Sequence, residues 1–486
     1  MAVKGPDSVV VALDGIRNQQ HRGQEAVGMS VLRDGRIETF KGLGRIDDVF
    51  RGDGHAVYYH SVNGQEVRVC DAEAAIAHVR YSTVGSKYAV SAAHPHTHNG
   101  VSLAWNGTIP NYMSLGDGSG YSTGADTEVM GKYLASRVSQ GVGIAAALGS
   151  FMDVADGGYA MAVMLRDGTI AVARDRLGVR PMVMGTVTGL RGSNTVVASE
   201  SVAITGHPRD AESTIKGGAI SRDIRPGEIL VMSGGVTESV DRPGGRANCV
   251  FEVVYFASPE SVMDGISISR ARTELGRLLA RYHGVSADIV VPVPDSAEPM
   301  AQGYAEESGV PVARGLVLQA KDFRNRTRSF MQPNQGARIR AVRDKLSPDP
   351  DVVGGKSVVV IDDSIVRGTT QGEIISMLLS AGAVEVHVRI ASPEVKYACF
   401  GGVDFPTRTE LVANRMDPAE LASHLGAASL EYLTVEELLA ATGVGKCHAC
   451  FSGEYQLRNM PQHGFWESVT MGNGSGGAGT KVSSAL

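Results

Sequence analysis

The stretch VVVIDDSIVRGTT, Val358 to Thr370, constrains the fold more than any other part of the chain. Val358 to Ile361 form an unbroken apolar run, the pattern of a strand buried on both faces. Gln371 to Ala381 has helical character and Val384 to Ala391 reads as a second strand. Together they make a βαβ unit. In sheets of this kind ligands bind beyond the carboxyl ends of the strands, which is where Asp362, Asp363 and the following loop fall. Adjacent carboxylates offer acceptors to a sugar diol, or oxygens to a magnesium ion carried by the ligand. Arg367, Gly368, Thr369 and Thr370 suit a phosphate: glycine lets the backbone approach, N–H groups converge at a helix start, and hydroxyls add donors. The expected ligand is small, polar and phosphorylated.

From about Val250 helix and strand alternate: Ala271 to Tyr282, then IVVPVPD, then a helix from Met300. That alternation predicts an α/β half with a parallel sheet. The first 240 residues differ. LRDGRI around Asp34-Gly35 and LRDGTI around Asp167-Gly168 sit between apolar alternating runs and predict two-residue hairpins. Helical patterns near Val9 to Gln20 and Thr127 to Ser139 complete an α+β half with antiparallel sheets. Pro and Gly cluster in DRPGGRAN, Asp241 to Asn248, a natural junction, and GNGSGGAGTKVSSAL at the end reads as disordered. The expected domains are therefore 1–240 and 241–460, with a tail at 461–486.

At 486 residues the chain can build two or three cores, and its net charge of -6 gives no reason to expect a nucleic-acid or membrane partner. The opening segment lacks the apolar run of a signal peptide and no stretch approaches transmembrane length, so a cytoplasmic location is expected. Of the five cysteines, Cys249, Cys399 and the CHAC pair Cys447 and Cys450 form a thiolate set that fits an iron-sulfur cluster or tetrahedral zinc equally well on ligand type. Cys70 is left over and reads as a buried structural thiol. His94, His96 and His98 alternate, which puts them on one side of an extended segment; they are read as pocket wall or surface loop rather than as metal ligands.

VIDDSIVRGTT, together with FEVVYFASPES, VPVPDSAEPMAQGYA, RSFMQPNQ and VHVRIASPEVKYACFGGVD, resembles the type I phosphoribosyltransferases, which bind phosphoribosyl pyrophosphate (PRPP). Within them it resembles the amidophosphoribosyltransferase family, the glutamine-dependent enzymes that open purine synthesis. The likeness covers nearly the whole chain up to about residue 460. It implies that Asp295 and Ser296 meet the pyrophosphate, that Asp362 and Asp363 meet the ribose hydroxyls, and that Ser364, Arg367, Gly368, Thr369 and Thr370 hold the 5-phosphate. Ser296, Asp362 and Asp363 would face the magnesium ion. Arg328 fits the family's loop that closes over PRPP, but in KDFRNRTRSF the expected lysine aligns with Asp322, and Lys321 stands one place away.

HRGQE, HVRYSTVG, WNGTIPNY and ADTE follow one another as in the N-terminal-nucleophile glutaminase domains, which implies an αββα fold. By that resemblance Arg80 pairs with the glutamine carboxylate, Asp126 holds its α-amino group, and Asn106 with Gly107 forms the oxyanion hole. An NG turn alone is usually only a turn; four motifs in register point to glutamine. The cysteine contexts resemble the subgroup that carries a structural, oxygen-sensitive [4Fe–4S] cluster, with Cys249, Cys399, Cys447 and Cys450 as ligands.

The family's nucleophile, a cysteine at the first position, is absent: Met1 is followed by Ala2, Val3 and Lys4, and no cysteine precedes Cys70. Met1 stands where the fourth residue of the family's opening strand belongs, so the expectation is a recorded start that leaves off a cysteine-bearing segment; the alternative is a real loss. The reaction implied is formation of 5-phosphoribosylamine from PRPP and glutamine or ammonia. A specialised or ammonia-dependent paralogue and a non-catalytic glutamine and PRPP sensor are the alternatives, and the family suggests a homotetramer.

Overall fold

The computed structural model describes residues 1–52, 58–62, 65–69, 72–81, 89–115, 126–206, 217–319, 335–403, 405, 408–443 and 445–456. Cys70, Ser82 to Gly85 of the HVRYSTVG motif, the KDFRNRTRSF stretch with Lys321, Asp322 and Arg328, and the 461–486 tail lie outside the described residues.

Two antiparallel sheets face each other in the first half. The seven-stranded sheet runs, edge to edge, 218–223, 183–188, 193–198, 2–4, 74–80, 26–33 and 36–43. The six-stranded sheet runs 236–241, 228–233, 170–174, 158–165, 101–108 and 96–98. Ala2, Ile76 and Leu32 of one meet Ala104, Ala162, Met164 and Val172 of the other in a dry layer. Small residues on both inner faces let the sheets approach closely. The helix Ser8–Arg17 covers the outer face of the first sheet through Val9, Ala12, Leu13 and Ile16, and the helices Asp126–Ser139 and Ile144–Val154 cover the second. The order is αββα, as the resemblance implies.

Two local expectations change. The first helix stops at Arg17, and Gln20–Arg22 forms a separate 3-10 turn, so the HRGQE motif leaves the helix and crosses to the strand Ala26–Arg33. The hairpin at Asp34-Gly35 has the expected two-residue turn, with Arg33 paired to Arg36 and both turn residues at positive φ. The one at Asp167-Gly168 does not. There Leu165 N donates to Thr169 O, enclosing three residues, and only Gly168 is left-handed (φ 81°). Asp167 Oδ1 accepts the Thr169 amide at 2.9 Å, which stabilises the wider turn.

The second half is built on four parallel strands in the order Ile289–Pro292, Ser357–Asp362, Glu385–Ile390 and Ser429–Tyr432. Val358 and Val360 pack with Ile374, Leu378 and Leu421 on one face; Val359 and Ile361 pack with Leu275, Leu279 and Met300 on the other. Burial of both faces explains the unbroken apolar run. The helices Ile268–His283 and Glu298–Ser308 approach so closely that a Cβ on Gly276 would lie 1.8 Å from Met300 O, and one on Gly303 would lie 1.8 Å from Thr273 O. Gly276→Ala is therefore expected to lower stability by about 1–3 kcal/mol or more, read as a fall in the urea midpoint at unchanged slope. An unchanged midpoint would show that the helices can part without cost.

Candidate active site

The strand Ser357–Asp362 ends in the carboxylate pair, and the helix Thr369–Ser380 starts at Gly368, whose φ of 82° aims the chain into the helix. Between them lies a cleft lined by Ser296, Lys345, Tyr255 and every residue from Asp362 to Gln371. The stretch from Asp362 to Thr370 is thus one wall of a single cleft. Asp363 accepts the Ser296 hydroxyl at 2.5 Å and the Ser364 hydroxyl at 2.6 Å. Asp362 accepts the Asp363 amide at 2.9 Å and the side-chain amide of Gln371. Burial, and then the charge of Asp363, push the Asp362 carboxyl well above its ordinary range. Thr369 and Thr370 form the first helical turn, where backbone N–H groups lack helical partners. Arg367 reaches Glu410 at 2.7 Å in this state. Asp295 follows Pro294 at the end of the neighbouring strand, directly before Ser296. Gln371 and Lys345 are site residues that sequence reasoning missed; the former hid inside the helical pattern.

A second group of residues named by the sequence motifs comes together in the first half. The strand Val101–Thr108 carries Asn106 and Gly107 to its end. Asn106 Oδ1 accepts from Arg180 Nη2 at 3.1 Å, and its Nδ2 is buried with no protein partner. Gly107 has φ 141° and lies so close to the next strand that a Cβ would meet Gly158 O at 2.0 Å. Asp126 accepts the amides of Ile109 at 3.4 Å and Thr127 at 2.9 Å, while burial pushes its carboxyl up to about 6. Arg80 is buried at the end of the strand Ala74–Arg80 within the field of Glu25 and Asp126. A guanidinium, a carboxylate and an orphan amide donor match the charges of an amino acid bearing a terminal carboxamide. Met1 opens the central strand of the sheet. Its α-amine donates to Ala77 O at 2.9 Å, and burial lowers it to about 5.

His94 lies beside this pocket, its Nε2 2.6 Å from the Thr127 hydroxyl. The rings of His78, His94, His96 and His98 follow in a row with centroids 4.3, 5.6 and 6.3 Å apart. Burial pushes His78 and His96 down to about 3, and the neighbouring cations and rings add to it. The sign follows directly. These imidazoles titrate near 6.5 in the unfolded chain and near 3 in the fold, so the unfolded state binds more protons between those values. Stability is therefore unaffected above pH 6.5 and falls as pH drops below it, by up to about 1.4 kcal/mol per pH unit for each histidine. His96→Phe is expected to flatten this acid slope in denaturant titrations; an unchanged slope would contradict the assignment.

The four cysteines of the second half converge. The strand Asn248–Cys249 pairs in parallel with Lys446–Cys447, which sets Cys249 opposite Cys447. The amides of Lys396 and Tyr397 both donate to Cys450 O at 3.0 Å, tying CHAC to the segment that carries Cys399. All four thiols line one small cavity, walled by Phe251, Phe400, Phe405 and Tyr455. Burial raises each thiol, Cys447 to about 11, and the neighbouring thiols add to this at Cys249, Cys447 and Cys450. Among the described residues no three His, Cys, Asp or Glu side chains are grouped so as to hold a single metal ion. The loop after Cys399 touches the other pocket: a Cβ on Gly402 would stand 2.7 Å from the Gly107 Cα.

An αββα half that gathers Arg80, Asn106 and Asp126, joined to a parallel-sheet half with a cleft at Asp362 to Gln371, is the arrangement of glutamine amidotransferases fused to a phosphoribosyltransferase. A family model described as a glutamine amidotransferase domain matches residues 61–226. Curated relatives named amidophosphoribosyltransferase include those of Mycobacterium tuberculosis (37% identical, covering 93% of this chain and 84% of the relative) and Bacillus subtilis (37%, covering 91% and 90%). A solved structure of the B. subtilis glutamine PRPP amidotransferase complexed with ADP and GMP superposes with a TM-score of 0.78 at 34% identity, over 94% of this chain and 97% of that one. The chain belongs to the amidophosphoribosyltransferase family.

Proposed function

We propose that the chain forms 5-phosphoribosylamine from PRPP, with ammonia as the nucleophile and glutamine bound in the first half. The observation that carries the reading is the Asp362–Asp363 pair at the end of a parallel strand, facing a helix that begins at Gly368. The nitrogen lone pair attacks C1, the C1–O bond to pyrophosphate breaks with its electrons leaving on pyrophosphate, and the new ammonium loses a proton. Thr369, Thr370 and the first helical amides hold the 5-phosphate, while Asp295 and Ser296 orient the leaving group. A magnesium ion, held by Asp362, Asp363 and Ser296, supplies positive charge against the departing pyrophosphate when bound. Enclosure in the cleft keeps water from the activated carbon.

Cys249, Cys399, Cys447 and Cys450 would hold a structural [4Fe–4S] cluster. Four thiols around one apolar cavity supply the ligand type of such a cluster, and the family resemblance favours it over zinc. A homo-oligomer, tetrameric by family resemblance, is the proposed assembly. The test is pyrophosphate release from PRPP and magnesium with ammonium or glutamine as donor. Ammonium-dependent release supports the reading. PRPP binding without release under either donor would make the chain a sensor.

A further inference from the structure

The oxyanion donor of the glutamine pocket is held by a residue outside every motif that points to glutamine. Arg180 ends a loop gathered on one carboxylate: the amides of Leu177 and Val179 donate to Asp175 Oδ1, and those of Tyr159 and Arg180 to Oδ2. Its buried guanidinium donates through Nη2 to Asn106 Oδ1 at 3.1 Å and meets Glu252 Oε1 at 2.9 Å, with Phe256 5.7 Å beneath. An arginine can only donate, so the amide oxygen of Asn106 must face Arg180. The Nδ2 group is thereby turned the other way, buried and without a protein partner.

Glu252 belongs to the other half, in the π-turn Glu252–Phe256 that follows Cys249, and Tyr255 of the same turn lines the PRPP cleft. Arg22 of the HRGQE motif grips Glu252 with two bonds, at 2.6 and 2.9 Å, and meets Glu200 at 2.5 Å. Glu200 in turn accepts from the Ser258 amide at 2.8 Å and the Ser261 hydroxyl at 2.9 Å. Two arginines and two glutamates thus form a buried, charge-balanced chain across both halves. Each member removed singly leaves an uncompensated charge.

We propose that Arg180, clamped by Glu252, is the positioning residue that fixes Asn106 with its amide N–H toward the side-chain carbonyl of bound glutamine, so that the second half sets the polarity of the oxyanion hole. This rests on the reading of the first pocket as a glutamine site. Without Arg180 the Asn106 amide is free to turn its oxygen into the pocket. Glutamine tolerates that by rotating its own amide, whereas glutamate, with oxygens on both sides, is repelled.

The discriminating experiment is calorimetric titration of the full chain with glutamine and with glutamate, for the unaltered protein, Arg180→Lys, Arg180→Met, and the pair Arg180→Met with Glu252→Gln. The last leaves Arg22 and Glu200 balanced, and so provides a folded variant if the single one fails. The unaltered protein and Arg180→Lys are expected to bind both amino acids. In Arg180→Met, or in the pair, glutamate affinity should fall about tenfold more than glutamine affinity, the scale of one lost hydrogen bond to a charged group. Equal losses of both ligands, or no loss, would overturn the proposal. Failure of the unaltered protein to bind either would instead overturn the glutamine reading beneath it.

Discussion

Asp362→Asn is expected to lower ammonia-dependent turnover of PRPP by about two orders of magnitude while leaving the fold at least as stable. The two effects have one cause. Burial, and then the charge of Asp363, raise the Asp362 carboxyl well above its ordinary value, so the folded chain binds that proton more tightly than the unfolded chain does. A raised carboxyl favours the fold at low pH and disfavours it as pH climbs above the unfolded value near 4. Asparagine mimics the protonated form and removes that penalty. It cannot ionise toward a magnesium ion; its single oxygen keeps the bond from the Asp363 amide, and Gln371 turns its own amide oxygen, otherwise buried without a partner, to accept from the new Nδ2. Steady-state rates and urea midpoints measured on the same preparation separate these effects. A variant that retained full turnover would remove Asp362 from the reaction, and a marked loss of stability would contradict its protonated state.

The larger structural effect is expected at the cysteines. Protein purified without oxygen should contain iron and acid-labile sulfide in equal amounts and show the visible absorption of a cluster. Cys450→Ser should lose both, together with stability on the order of 10 kcal/mol, the scale on which structural metal sites contribute to folding. The reason is local. Phe251 packs on Phe405 at 5.0 Å and on Phe451 at 6.2 Å, and Phe251 and Phe405 wall a mostly apolar cavity into which the four thiols are gathered. Emptied, it leaves raised thiols and unfilled volume at the joint where Asn248–Cys249 meets Lys446–Cys447. Since the Gly401–Gly402 loop rests on Gly107, glutamine affinity should fall with the cluster. A colourless, metal-free chain of equal stability would contradict the cluster.

Legibility in the sequence followed the physics of each feature. A strand buried on both faces needs an unbroken apolar run, so Val358 to Ile361 announced the parallel sheet, and the carboxylates after it marked the cleft. Contiguous motifs such as WNGTIPNY stay together in space because Asn106, Gly107 and Ile109 lie on one strand and its exit. Features made by distant residues were silent. Arg180 and Glu252 meet across 72 positions of the chain, and neither stands in a pattern that marks a buried ion pair. The wide turn at Asp167 escaped because the same Asp-Gly pair serves two- and three-residue hairpins, and the bond from the Thr169 amide to Asp167 that accompanies the wider one leaves no mark in the sequence. The close crossing at Gly276 and Gly303 escaped because a glycine within a helical run ordinarily lowers helix propensity and signals nothing about a neighbour.

The central claim is that this cleft joins nitrogen to C1 of PRPP. The most direct measurement incubates the protein with PRPP, magnesium and isotopically labelled ammonium, and follows phosphorus and nitrogen together by NMR. The account predicts that pyrophosphate appears only with ammonium present and that the label enters a bond to the anomeric carbon. Pyrophosphate release with no labelled carbon–nitrogen bond, the mark of simple hydrolysis, would contradict it.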